Sequence, residues 1–62
     1  MMGSELKKLH EYGKEVLGEG YEEWLARENP ALGRTPKVII DSIEGIRTVE
    51  KLLGRIDHGI FS

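Results

Sequence analysis

Apolar residues along this chain recur at helical rather than alternating intervals. Leu6, Leu9, Tyr12, Val16 and Leu17 follow one another at steps of 3, 3, 4 and 1, and at about 100° per residue they fall on one arc about 140° wide. The spacing predicts an amphipathic helix from Ser4 to about Leu17, with the Ser4 hydroxyl as its N-cap. Gly13 lies inside the apolar arc. A glycine there costs about 1 kcal/mol in helix propensity against alanine, so its expected use is to let another helix come close. Gly18 and Gly20 end the segment. A shorter helix is expected from about Glu19 to Glu28, with Tyr21, Trp24 and Leu25 on its inner side and Glu22, Glu23 and Arg27 outside. Asn29-Pro30 stops it, because the residue before a proline is pushed out of the helical region. Trp24, the only tryptophan, is the expected core anchor.

After the loop from Ala31 to Arg34, Thr35-Pro36 is a helix-start signal, a hydroxyl cap followed by proline at the first helical position. Val38, Ile39 and Ile40 are β-branched, yet a strand here would have no second strand to pair with, so a short helix is expected. Asp41 or Ser42 then opens the last helix, and Glu44 stands three residues after Asp41 as in a capping box. From Ile43 to Asp57, the residues Ile46, Val49, Leu52, Leu53 and Ile56 share one face with Gly45. Gly13 and Gly45 are therefore expected to mark close helix approaches in one core. Gly59 is a natural left-handed cap after His58. Beyond it, Ile60 and Phe61 form an apolar tail that either folds back onto the core or enters a partner's cleft. The expected fold is all-α, a small bundle of three longer helices plus one short helix, with an apolar C-terminal tail.

Length and composition narrow the function. The 62 residues allow a single domain, 1–62, with residues 1–3 read as disordered or vector-derived. A chain of this size buries only about 60% of its unfolded surface, so association with a partner or a second copy is expected to support its core. The absence of cysteine rules out disulfides and cysteine-ligated metals. No apolar run reaches the length of a membrane span or a signal peptide, and a soluble cytoplasmic protein is the expectation. The net charge of −2 makes nucleic-acid binding by this chain alone an unfavoured reading.

Chemistry is sparse. There is no phosphate-cradling glycine loop, and His10 and His58 stand far apart in the chain. Asp57 and His58 are neighbours, and neighbours on a helix do not face each other. Neither a catalytic residue, a cofactor site nor a metal site is expected. Arg47, Lys51 and Arg55, at i, i+4 and i+8, form a basic stripe on the side of the last helix away from its apolar face. It reads as a solvated face, as a contact for an acidic partner, or as a contact for DNA phosphate.

The order Trp24-Leu25, NPALG (Asn29 to Gly33), Thr35-Pro36, Glu44-Gly45, Val49-Glu50 and LLGRIDHGIFS (Leu52 to Ser62) resembles the toxin-binding domain of Xre/MbcA/ParS-type antitoxins, over roughly residues 10 to 62. The resemblance implies a bacterial type II antitoxin module whose cognate partner is a RES-domain toxin, an enzyme that attacks NAD or uses it to ADP-ribosylate. It further implies that the C-terminal end of the antitoxin blocks the toxin's active site. Carried onto this chain, the contacting positions are Arg55, His58, Gly59, Ile60, Phe61 and Ser62, and the antitoxin itself catalyses nothing. Full-length members usually carry an N-terminal helix-turn-helix domain, for which 62 residues leave no room, so a separated domain or a natural short form is expected. The family loop is often one residue longer, with two glycines where this chain has only Gly33 before Arg34. The rival readings are a dimeric regulatory module without a toxin and a weak DNA-binding accessory domain.

Overall fold

The computed structural model describes residues 2–59, and side chains from residue 3 onward. Helix α1 spans Met2–Leu17, and a 3-10 turn over Gly18–Gly20 leads into α2, Tyr21–Ala26. Helix α3, Pro36–Ile39, and helix α4, Ile43–His58, complete the order. No strand occurs among the described residues, and extended pairing is limited to an antiparallel bridge between Asn29 and Arg34. The fold is all-α. Its proportions differ from the sequence expectation: α1 and α4 have 16 residues each, whereas α2 has 6 and α3 has 4. The expected apolar tail, Ile60 to Ser62, lies outside the described residues.

Local chemistry accounts for these lengths. Gly18 takes a left-handed φ of 63° and closes α1, so Glu19 and Gly20 are spent in the 3-10 turn rather than in α2. At the other end Arg27 is already extended, with φ −95° and ψ 143°, so α2 stops well before Pro30. Helix α1 starts earlier than expected and includes Met2 and Gly3, which places Ser4 inside the helix rather than at its cap. Apolar periodicity marks the packed part of a helix and is silent about turns added beyond it. Ser42, not Asp41, caps α4: its Oγ accepts from the Gly45 N–H at 3.1 Å. With Ser42 as cap, Glu44 falls one position short of the capping-box site. Thr35 is extended ahead of Pro36 as expected, but its side chain makes no capping bond.

The loop before α3 is organised by Asn29. Its backbone carbonyl accepts from the Leu32 and Gly33 N–H groups at 3.0 and 2.8 Å. Its Oδ1 accepts from the Ala31 N–H at 2.9 Å, and its own N–H donates to the Arg34 carbonyl at 3.0 Å. Gly33 supplies the left-handed turn, with φ 72°.

Leu9 of α1, Tyr21 and Leu25 of α2, Ile40 after α3, and Ile46, Val49 and Leu53 of α4 form the buried core. Each such side chain contributes roughly 1.5–3 kcal/mol through removal from water. Leu6, Tyr12, Leu17, Trp24 and Ile39 pack around it, half-buried. The expected anchor Trp24 is thus peripheral, and Tyr21, at 1% exposure, holds the centre. Leu52 and Ile56, expected in the core face, are half-buried on the flank of α4.

Gly13 and Gly45 are both buried at close approaches. A Cβ on Gly13 would overlap the Tyr21 ring, and one on Gly45 would overlap the Ile39 carbonyl oxygen. The Tyr21 hydroxyl lies 2.8 Å from His10 Nδ1, and its ring is stacked with Trp24 at a centroid distance of 6.4 Å.

Two outcomes follow from this packing. Gly45→Ala forces the α3–α4 backbone apart and should cost at least about 2 kcal/mol, lowering the melting temperature by about 10 °C. Gly20→Ala, where nothing lies within 4 Å and φ is −77°, should raise stability by about 0.5 kcal/mol. Thermal melts of the two variants followed by circular dichroism check the contrast, and equal melting would contradict the close approach at Gly45. Burial also pushes the Tyr21 hydroxyl up from 10.0 to about 12. The folded chain therefore keeps a proton that the unfolded chain loses, so this contribution is intact below pH 10.0 and is lost as pH rises toward about 12. Urea midpoints at about pH 9 and about pH 11 should fall less for Tyr21→Phe than for the unaltered chain.

Candidate functional site

Helix α4 presents three surfaces. Ile46, Val49 and Leu53 are buried against the rest of the domain. Leu52 and Ile56 lie half-buried on one flank, while Arg47, Lys51, Arg55 and His58 are exposed on the outer side. The hydrophobic contacts of the inner face fix the helix, and its end is fixed by Gly59. That residue adopts φ 66° and ψ 31° and donates its N–H to the Arg55 and Ile56 carbonyls, closing α4 with a left-handed cap.

Arg55, His58 and Gly59 therefore sit in the last turn of α4 and its cap, all exposed. Arg55 and His58 lie about 60° apart around the helix, on the same outer side. Basic side chains in this turn also answer the negative end of the helix dipole. The remaining positions implied by the family resemblance, Ile60, Phe61 and Ser62, lie outside the described residues.

Asp57, the neighbour of His58, turns to the other side. Its Oδ2 accepts from the Tyr12 hydroxyl at 3.3 Å, tying the end of α4 to α1. Desolvation first, and the Asp57 carboxylate second, hold the Tyr12 hydroxyl above its ordinary pKa. The hydrogen bond that the Asp57 carboxylate makes thus runs to Tyr12 on α1 and not to its neighbour His58. Among the described residues no group of three His, Asp or Glu side chains is placed to hold a metal ion.

A second feature was not legible in the sequence. A cleft of about 300 Å³ is lined by His10 and Lys14 of α1, Tyr21, Glu22 and Leu25 of α2, Lys37 of α3, and Ile40. It shares no residue with the end of α4. Its lining residues are scattered over 31 positions of sequence from His10 to Ile40, and no periodicity links them. The nearest signal was His10 itself, a polar residue bordering the apolar arc of α1. The His10–Tyr21 hydrogen bond spends one ring nitrogen on the fold.

The basic residues of α4 have no carboxylate partner among the described residues, where the ion pair present is Arg27–Glu23 at 2.7 Å within one exposed stretch of chain. Such a pair is worth about 0.3–0.5 kcal/mol. No helix of the described residues is long and apolar enough to cross a membrane.

The geometry is thus that of a small helical domain with an exposed, basic helix end and no assembled catalytic group among the described residues. Comparison with known protein families gives a match over residues 13–59, to the family described as the antitoxin Xre/MbcA/ParS C-terminal toxin-binding domain. The matched stretch begins at Gly13, the close approach to Tyr21, and ends at Gly59, the cap of α4. Neither the curated proteins nor the solved structures give a match. Since the family match spans more than half of the chain, the chain belongs to the Xre/MbcA/ParS antitoxins and is a C-terminal toxin-binding domain of that family.

Proposed function

We propose that this domain neutralises a cognate RES-domain toxin, an enzyme that consumes NAD or uses it to ADP-ribosylate, by stoichiometric occlusion in the bacterial cytoplasm. Residues Ile60, Phe61 and Ser62 enter the toxin's active-site cleft, and Arg55 and His58 contact its rim. Gly59 is the pivot between helix and cleft-filling residues.

The family match carries this reading. The closing run LLGRIDHGIFS, Leu52 to Ser62, supports the RES-domain assignment through its resemblance to antitoxins of that class. The exposed Arg55 and His58 and the left-handed Gly59 cap support the contact set, because they leave charged and hydrogen-bonding groups in water at the point where the chain leaves α4. Inhibition by occlusion asks for no catalytic group on the antitoxin. It asks for a rigid element that aims a short apolar segment, with binding energy concentrated in a few aromatic and arginine anchors.

Deleting Ile60 to Ser62 while keeping Gly59 should leave the helical spectrum and melting temperature within about 2 °C of the full chain. The same deletion should abolish protection of cells that express the cognate RES-domain toxin, read as loss of growth and of cellular NAD. Full protection by the truncated chain would overturn the occlusion mechanism.

A further inference from the structure

The outer face of α4 carries charge in a pattern that the fold does not use. Arg47, Lys51 and Arg55 are all exposed. Successive steps of four residues advance about 40° around the helix, so the three lie within an arc of about 80° and run about 12 Å along the axis. His58 falls inside the same arc. The acidic residue on this face is Glu44, at its N-terminal end. No ion pair reaches Arg47, Lys51 or Arg55 among the described residues. At the head of the stripe Ile43, one turn before Arg47, is exposed at 38%.

The outer face of α1 shows what a solvated face looks like in the same molecule. There Lys7, Glu11, Lys14 and Glu15 are exposed with signs interspersed. Interspersed charges serve solubility and cancel at short range. Three cations over about two turns beyond Glu44, in a chain whose net charge is −2, create a local positive field against the overall balance.

We infer that the stripe Arg47, Lys51 and Arg55 is a second toxin-docking element, which recognises a carboxylate-rich strip on the toxin surface and steers the encounter before the helix end engages. This rests on the toxin-binding reading above and extends it from the end of α4 to its length. Arg55 joins the two elements, since it belongs both to the stripe and to the last turn before Gly59. Ile43 supplies an apolar contact at the far end of the stripe. Duplex DNA is the less favoured occupant, because three cations beside Glu44 on a net-acidic molecule make a small phosphate footprint. A second copy, offering the exposed Glu19, Glu22 and Glu23 around α2 to the same stripe, is the other occupant that the test separates.

The test uses the full chain and a purified cognate RES-domain toxin. Arg47→Glu with Lys51→Glu spares every residue assigned to the occluding end. Both positions are exposed, so the double variant should melt as the unaltered chain does; Arg47→Gln with Lys51→Gln is the neutral companion. At low salt the reversed variant should associate with the toxin about tenfold or more slowly, the neutral variant should be intermediate, and the differences should shrink in high salt. The chain lacking Ile60 to Ser62 should keep the salt-sensitive association rate while losing inhibition. Equal association rates for all three stripe forms would overturn the inference and leave the occlusion mechanism standing. So would an effect confined to a short DNA duplex, or to self-association of the chain. No complex between the unaltered chain and the toxin would overturn both.

Discussion

The Tyr21 ring lying against the bare Cα of Gly13 is the contact on which the rest of this domain depends. A 62-residue chain has few side chains large enough to fill the space between two of its helices. Here one aromatic ring fills the space that Gly13 leaves open on α1, at 1% exposure, edge-on to His10 at 5.7 Å and hydrogen-bonded to it. A methyl group at position 13 would occupy the place of the ring. The short helix α2 is thereby held against α1, and Leu25 is carried into the same core as Leu9 and Leu53. A buried hydroxyl would be costly without a partner, and the His10 bond removes that cost.

The second close approach, Gly45 against the Ile39 carbonyl, does for α4 what Gly13 does for α2. It brings the first turn of α4 onto the end of α3, while Ser42 satisfies the Gly45 N–H. Helix α4 is then anchored at its start by a backbone contact, along its length by Ile46, Val49 and Leu53, and near its end by the Tyr12–Asp57 bond. A helix held at three levels presents its outer face and its end in a defined direction. That rigidity is what a binding element needs, because ordering a flexible segment on contact costs affinity. Arg55 and His58 owe their placement to contacts made on the opposite side of the same helix.

Much of this was legible from local pattern. The apolar arcs of α1 and α4, the Thr35-Pro36 helix start and the left-handed Gly59 cap all follow from residues within one or two turns of one another, and the roles of Gly13 and Gly45 followed from their place in those arcs. The family was legible as well, through the order of short motifs from Trp24 to Ser62. Other features were misjudged wherever the outcome depended on a distant residue. Trp24 outranks Tyr21 in size, yet Tyr21 is central because it faces a glycine eight positions earlier in the chain. Leu52 and Ile56 share the apolar side of α4 with Leu53, but the helices packed on α4 are too few to cover that whole arc. The length of α2 turned on backbone angles at Gly18 and Arg27 that side-chain periodicity does not encode.

The sequence by itself determined the class of fold, two long amphipathic helices with their glycine notches, the basic stripe, and membership of a toxin-binding family, because each is a property of spacing or of motif order. Tertiary structure alone decided which aromatic ring fills the core, which residue caps α4, and that His10, Lys14 and Lys37 line one cleft. It also decided that Asp57 is spent on Tyr12 while Arg47, Lys51 and Arg55 stay unpaired with any described carboxylate. The physical reason is one of range. Helical spacing is set within a few residues by backbone geometry, whereas the partner of a buried ring or a charged side chain is set by whatever the folded chain brings within a few ångströms of it.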